Sequence, residues 1–138
     1  MKRKNFSFFI HFDDGDPAGI LFFAHFFKLA HRALELNLEE GNIPWREWYD
    51  HEQWGVPLRH VESDFRHPVR PGDRVTVWQG VRKLGESSVV LESEFQNADG
   101  KICAIVKTTH VFIDKSTLQK MKIPKHLRDF LEPQLLID

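Results

Sequence analysis

The sequence predicts an α+β domain: one antiparallel five-stranded sheet with a single long helix against it. Three observations carry this. An apolar segment at 4–12 alternates like a strand and runs into an acidic, glycine-punctuated turn. The 17 residues of 23–39 then place apolar side chains at helical spacing. From Val56 onward four alternating segments follow, joined by loops too short for a parallel crossover. The order strand, helix, four strands leaves the apolar helix stripe to be covered by one sheet face.

Each element has its own justification. In the first segment Phe6, Phe8, Ile10 and Phe12 share one face, and Ser7, Phe9 and His11 the other. The turn 13–19 is punctuated by Gly15, Pro17 and Gly19. Along 23–39 the stripe is Phe23, Phe26, Phe27, Ala30, Leu34 and Leu38, opposed by Lys28, Arg32, Glu35 and Glu39. Such a helix runs ~25 Å, and Gly41 and Asn42 end it. A short helical piece at 44–52 begins with Pro44 at a favoured first-turn position and carries Trp45, Trp48 and Tyr49. Strands are predicted at 57–68, 73–83, 87–97 and 101–113, broken at Pro71-Gly72, Leu84-Gly85-Glu86 and Asn97-Ala98-Asp99-Gly100. Val75, Val77, Gln79 and Val81 alternate with Arg74, Thr76, Trp78 and Arg82, and Val89, Leu91, Ser93 and Phe95 with Val90, Glu92 and Glu94. Residues 114–138 read as a polar tail with a short terminal helix. With no repeat, linker or low-complexity segment, a single domain over 1–138 is predicted.

Gross properties exclude several classes. A chain of 138 residues buries roughly 68% of its unfolded surface, and 41% hydrophobic with 28% charged residues is ordinary for a soluble globular protein. A net charge of −1 supplies no global footprint for nucleic acid. The lone cysteine, Cys103, excludes an intrachain disulfide and multi-cysteine zinc sites; between Ile102 and Ala104 it reads as a buried, inert thiol. His25, His31, His51, His60, His67, His110 and His126 show no i, i+4 pair and no HExxH-like pattern, so no metal is expected. Asp13, Asp14 and Asp16 fail as a calcium loop, because counting from Asp14 the third ligand position is Ala18 and the late one is near His25. Asp13 and Asp14 are expected as turn residues, one of them capping. No run reaches the ~18 apolar residues of a membrane span. The N-terminal apolar stretch is interrupted by Ser7 and His11, ends in acids and lacks a cleavage site, so a cytoplasmic protein is expected.

The chemistry concentrates between His11 and His25. There an acidic turn meets a helix start, setting a carboxylate beside unpaired backbone N–H groups. That pairing is half of an acyl-transfer site, since the donors can hold a developing oxyanion. Taken alone, Asp16 before Pro17 reads more readily as an ordinary turn or cap aspartate.

Asp16-Pro17-Ala18-Gly19-Ile20-Leu21-Phe22-Phe23, following a Phe-rich strand and opening a long helix, resembles the signature of hotdog-fold acyl-CoA thioesterases of the 4-hydroxybenzoyl-CoA thioesterase type. The Asp64-Phe65-Arg66-His67-Pro68-Val69-Arg70-Pro71-Gly72-Asp73 segment resembles that family's second-strand pattern, and Leu84-Gly85-Glu86-Ser87-Ser88 its usual third turn. Together they span nearly residues 5–113. The resemblance implies a hotdog fold, a sheet wrapped around a central helix. It also implies a homodimer joined edge to edge, often a homotetramer as a dimer of dimers, with acyl-CoA lying between two chains. Asp16 would be the catalytic carboxylate and the Phe23 N–H the oxyanion donor. His25 falls where relatives carry Asn or Gln, a place for a polar substrate contact. Arg82 and Lys83 before the Gly85 turn, with Ser87 and Ser88 after it, resemble the family's nucleotide and pantetheine contacts; Lys120 and Lys122 could add charge.

The expected activity is therefore hydrolysis of an acyl-CoA to free acid and CoA, with an aromatic acyl group such as 4-hydroxybenzoyl or 1,4-dihydroxy-2-naphthoyl preferred. Thiolate leaves readily, so no strong general acid is required, and no metal or redox cofactor is expected. Asp16 would attack the carbonyl itself or activate a water. Part of the aromatic surplus at Phe22, Phe26, Trp45, Trp48, Tyr49 and Trp54 could line a flat aryl pocket. The alternatives are a short-chain aliphatic acyl-CoA thioesterase and a catalytically silent acyl-CoA-binding hotdog module. A hotdog dehydratase is disfavoured, because such relatives place a His five residues after the Asp and here that residue is Leu21.

Overall fold

The computed structural model describes residues 3–137; the outermost positions of the predicted domain, 1–2 and 138, lie outside them. In chain order the elements are β1 (Lys4–Phe9), α1 (Ala24–Glu40), α2 (Arg46–Tyr49), β2 (Trp54–Gly55), β3 (Leu58–Phe65), β4 (Arg74–Leu84), β5 (Ser88–Gln96), β6 (Ile102–Val111), β7 (Ile113–Asp114) and α3 (Lys125–Leu131). The main sheet is antiparallel and five-stranded in the order β1-β4-β5-β6-β3. Both β1 and β3 are therefore edges.

Strand alternation sets the buried face as the sequence predicts. Val75, Val77, Gln79 and Val81 of β4 and Val89, Leu91, Ser93 and Phe95 of β5 are buried, and their neighbours are not, apart from Gly80. Gln79 and Ser93, the polar members of that face, satisfy one another. Gln79 Nε2 donates to Ser93 Oγ and to the Ala30 carbonyl of α1, each at 3.1 Å. The sheet thus bonds directly to the helix that covers it. Phe26, Leu29, Ala30, Ala33, Leu34 and Leu38 bury the α1 stripe. α1 ends because Asn42 takes a left-handed conformation (φ 58). Gly41 serves packing instead: a Cβ there would stand 2.6 Å from the Phe130 ring of α3.

The structure corrects several expectations. Phe12, placed by alternation on the apolar face, is 92% exposed, because the chain leaves the strand at Ile10 and tightens into a 3-10 turn over Phe12–Asp14. Phe23 lies outside the buried stripe and is 58% exposed. The predicted helix at 44–52 shortens to the four residues of α2. The predicted strand 101–113 divides at Phe112, and β7 pairs with β2 as a second, two-stranded sheet. The region 114–138 is not a polar tail. Ile123, Leu127 and Leu131 recur four residues apart and are buried with Leu34, Leu38, Trp48 and Phe112 in one half of the core. Gln134 beyond them accepts a hydrogen bond from Asn37 Nδ2 of α1 at 2.7 Å.

Candidate active site

The acidic turn is held by its own backbone. The Asp16 N–H donates to Ile20 O at 2.8 Å, and Gly19 N–H to Asp16 O at 2.9 Å. Gly19 closes the loop at φ +78, a conformation that L side chains rarely adopt. Asp16 Oδ1 accepts the Ala18 N–H at 2.9 Å and the Ile20 N–H at 3.4 Å. One carboxylate oxygen thus stabilises the turn, as an ordinary turn aspartate would. Among the described residues Oδ2 has no hydrogen-bond partner, and the half-buried Asp16 side chain lines a cleft of about 480 Å³. Asp14 is the capping residue of the pair before it, since its Oδ2 accepts the His11 N–H at 2.9 Å.

Two backbone bonds fix the turn against the rest of the fold. Leu21 N–H donates to Val69 O at 2.6 Å and Phe22 N–H to Asp14 O at 3.0 Å. The helix begins immediately afterwards, and its cap residue, Phe23, has no side chain able to accept the first-turn N–H groups. Among the described residues the Phe23 N–H has no acceptor. The His25 and Phe26 N–H groups of the first turn are already taken by Phe22 O and Phe23 O, so it is the Phe23 N–H that stays available to a ligand oxygen. Phe23, Phe26 and Phe65 wall the cleft, with Phe65 5.2 Å from Phe26 and 6.5 Å from Phe23 between ring centres. Phe26 also packs edge-on against the buried Phe95 at 5.2 Å, which ties the wall to the core.

The structure brings Asp16 and Phe23 together. His25 stands one layer behind the cleft: that ring packs edge-on at 5.8 Å against Phe22, a residue of the cleft lining, and does not itself line the cleft. Arg66 and His67 do line it, though the sequence reading assigned them no role. Their signal was present in the 64–73 segment, whose Pro68 and Pro71-Gly72 end β3 and turn the chain back towards Asp16. Arg82, Lys83, Ser87 and Ser88 sit at the far end of β4 and β5, roughly 30 Å from Asp16 by strand length. Arg82 is engaged there with Glu92 at 2.6 Å. Lys120 and Lys122 reach that same end, since Ile123 N–H donates to Glu86 O at 2.9 Å. Within one chain these groups are remote from the cleft. A larger groove of about 770 Å³ lies by the C-terminal half of α1, among Phe8, Leu36 and Trp45, and Asp16 does not line it. Among the described residues no three His, Cys, Asp or Glu side chains converge as metal ligands, and no helix is long and apolar enough to cross a membrane.

A second, smaller cavity of about 160 Å³ opens further along α1, with His110 at its base. His110 is buried, shares a 2.8 Å hydrogen bond between its Nε2 and Thr108 Oγ1, and packs edge-on against Trp48 at 5.7 Å. Burial, helped by nearby His31, pushes the imidazole down to about 4. A histidine in the unfolded chain titrates near ~6.5, so acid favours unfolding between those values. The stabilisation is full above ~6.5 and declines as pH falls, by at most ~1.4 kcal/mol per pH unit. Denaturant midpoints should accordingly drop between pH 6.5 and 5, and His110→Phe should flatten that drop. An unchanged slope in the variant would assign the effect to other groups.

The family model of the thioesterase-like superfamily matches residues 10–131. The chain is 28% identical over 123 residues to a 1,4-dihydroxy-2-naphthoyl-CoA hydrolase of Nostoc punctiforme, covering 89% of this chain and 82% of that one. It is 29% identical over 122 residues to one of Microcystis aeruginosa, covering 88% of each. Among solved structures, a 1,4-dihydroxy-2-naphthoyl-CoA thioesterase from Synechocystis superposes with a TM-score of 0.88 at 22% identity, covering 94% of this chain and 95% of that one. A gentisyl-coenzyme A thioesterase superposes at 0.80 with 26% identity, covering 94% and 99%.

Proposed function

This chain belongs to the thioesterase-like superfamily, and from that premise we propose that it hydrolyses a hydroxyaryl-CoA thioester to the free acid and CoA. The observation that carries the reading is the pairing, in one cleft, of the Asp16 carboxylate with the unpaired N–H at the start of α1. The relatives' 1,4-dihydroxy-2-naphthoyl-CoA and gentisyl-CoA activities, with the phenylalanine walls, favour an aromatic acyl group.

In this mechanism the thioester oxygen faces the Phe23 N–H, which stabilises the charge that develops on it; one such donor is typically worth ~2.7–4 kcal/mol. Asp16 drives attack on the carbonyl carbon, directly through Oδ2 or by taking a proton from an attacking water. The C–S bond then breaks and CoA leaves as thiolate. Direct attack passes through an anhydride, and attack of H₂¹⁸O on its aspartyl carbonyl labels Asp16, an outcome that water activation never gives.

The remote basic group takes its place in a homodimer. β3 is an edge strand with Leu58, Val61 and Phe65 about half exposed. Antiparallel pairing of β3 with its copy would continue the sheet and reverse its direction. The Gly85–Ser88 end of the second chain would then lie across the interface from the Asp16 cleft, with Arg82, Lys83, Ser87 and Ser88 able to receive the CoA portion. A homotetramer would pair two such dimers.

A panel of aryl- and short-chain acyl-CoA thioesters, assayed with a thiol-reactive dye, tests the reading. Release of CoA thiol should be fastest with hydroxybenzoyl or dihydroxynaphthoyl groups. Tight binding of acyl-CoA without thiol release would replace this reading with a silent binding module.

A further inference from the structure

The Asp16 cleft and the His110 cavity lie in succession along the same side of α1. The first is lined by Phe23, Phe26 and Phe65, the second by Phe27, His31, Leu58 and Val61. On β3 the residues of both cavities, Phe65 and Val61, share a face with Ser63 between them. Ser63 Oγ is buried and has no hydrogen-bond partner among the described residues. A shift in strand register between Leu58 and His60 then sets Leu58 opposite His110. The helix residues Phe23 and His31 are eight apart, ~12 Å along the axis, and side chains on a helix lean back towards its start. The space between the oxyanion donor and the second cavity matches the length of a one- or two-ring acyl group.

We propose that the acyl ring lies along this trough and that His110, held by Thr108, hydrogen-bonds a ring hydroxyl at its inner end, so that the site selects hydroxylated aryl thioesters. The inference rests on the thioesterase reading of the adjoining cleft and names the residue that reads the acyl group. Several facts support it. Around His110 the cavity is mostly apolar, lined by Phe27, Leu34, Leu58, Val61 and Leu91, with His31 and Thr108 as its other polar side chains. A polar ring buried in such surroundings is costly unless its nitrogens are paired. Thr108 satisfies one nitrogen, which leaves the neutral imidazole one further donor or acceptor site. A phenolic hydroxyl both donates and accepts, so it complements either tautomer. His31 stands at the cavity rim, bonded to Glu35 at 2.7 Å.

The test compares kcat/KM within matched pairs: 4-hydroxybenzoyl-CoA against benzoyl-CoA, and 1,4-dihydroxy-2-naphthoyl-CoA against 2-naphthoyl-CoA. The unmodified protein should prefer the hydroxylated member of at least one pair by about tenfold or more, because the unsubstituted ring leaves His110 unpaired. His110→Phe should erase that preference by slowing the hydroxylated substrate and sparing the other. His110→Gln, which keeps a donor and an acceptor, should retain part of it, and Thr108→Val should weaken it while preserving the histidine. Circular dichroism establishes that each variant is folded. No preference in the unmodified protein, or equal losses on both members of a pair in the variants, overturns the assignment of His110 but leaves the hydrolase intact. Hydrolysis confined to aliphatic thioesters does the same. Absence of any thiol release overturns the functional reading and this inference with it.

Discussion

Asp16→Asn is expected to lower kcat for aryl-CoA hydrolysis by about 10³-fold with the fold unchanged. The magnitude follows from removing the group that drives attack, since a positioned acid or base typically contributes ~10²–10⁴-fold. The intact fold follows from the turn. Asparagine keeps an Oδ1 that can accept the Ala18 and Ile20 N–H groups, so the loop that presents the residue survives. Asp16→Ala would confound the measurement, because it also removes that acceptor, at a cost of about 1 kcal/mol. Thiol release measured beside the thermal midpoint separates the two. Unchanged turnover in the asparagine variant would remove Asp16 from the reaction.

Phe95→Ala is expected to be the most destabilising single change, at about 3–5 kcal/mol. Phe95 is fully buried in β5, among the largest side chains so placed, and its loss opens a cavity directly beneath Phe26. Phe26 in turn supports Phe65 across the cleft. The variant should therefore unfold at markedly lower denaturant, and its remaining folded fraction should show a raised KM as the cleft wall relaxes. A change within ~1 kcal/mol would mean that the neighbouring side chains refill the space.

Much of this architecture is legible in the chain because the relevant signals are local. Alternation places Val75, Val77, Gln79 and Val81 on one face whatever their neighbours turn out to be, and the helix stripe marks Phe26, Ala30 and Leu34 in the same way. The turn at Asp16 is equally local, since Pro17 and Gly19 constrain backbone geometry within a few residues. The exposure of Phe12 and the burial of the terminal helix within 114–138 escape such patterns for the opposite reason. Phe12 obeys the alternation but sits past the point where the strand ends, and alternation does not mark that end. Ile123, Leu127 and Leu131 are few and dispersed among charged residues, so their burial depends on the surface that Leu38 and Trp48 offer them.

By itself the sequence determined the order of the main elements, the buried faces of β4, β5 and most of α1, and the punctuation of the turn at Asp16, all properties of residues near one another along the chain. Tertiary structure alone decided that the loop after β3 returns to that turn, that His25 packs on Phe22 without itself lining the cleft, and that Arg82 and Ser88 lie at the sheet's far end. It also buried His110 at the base of a cavity beside α1. These outcomes depend on strand order and register, which bring distant residues together through collective packing that no short-range pattern encodes.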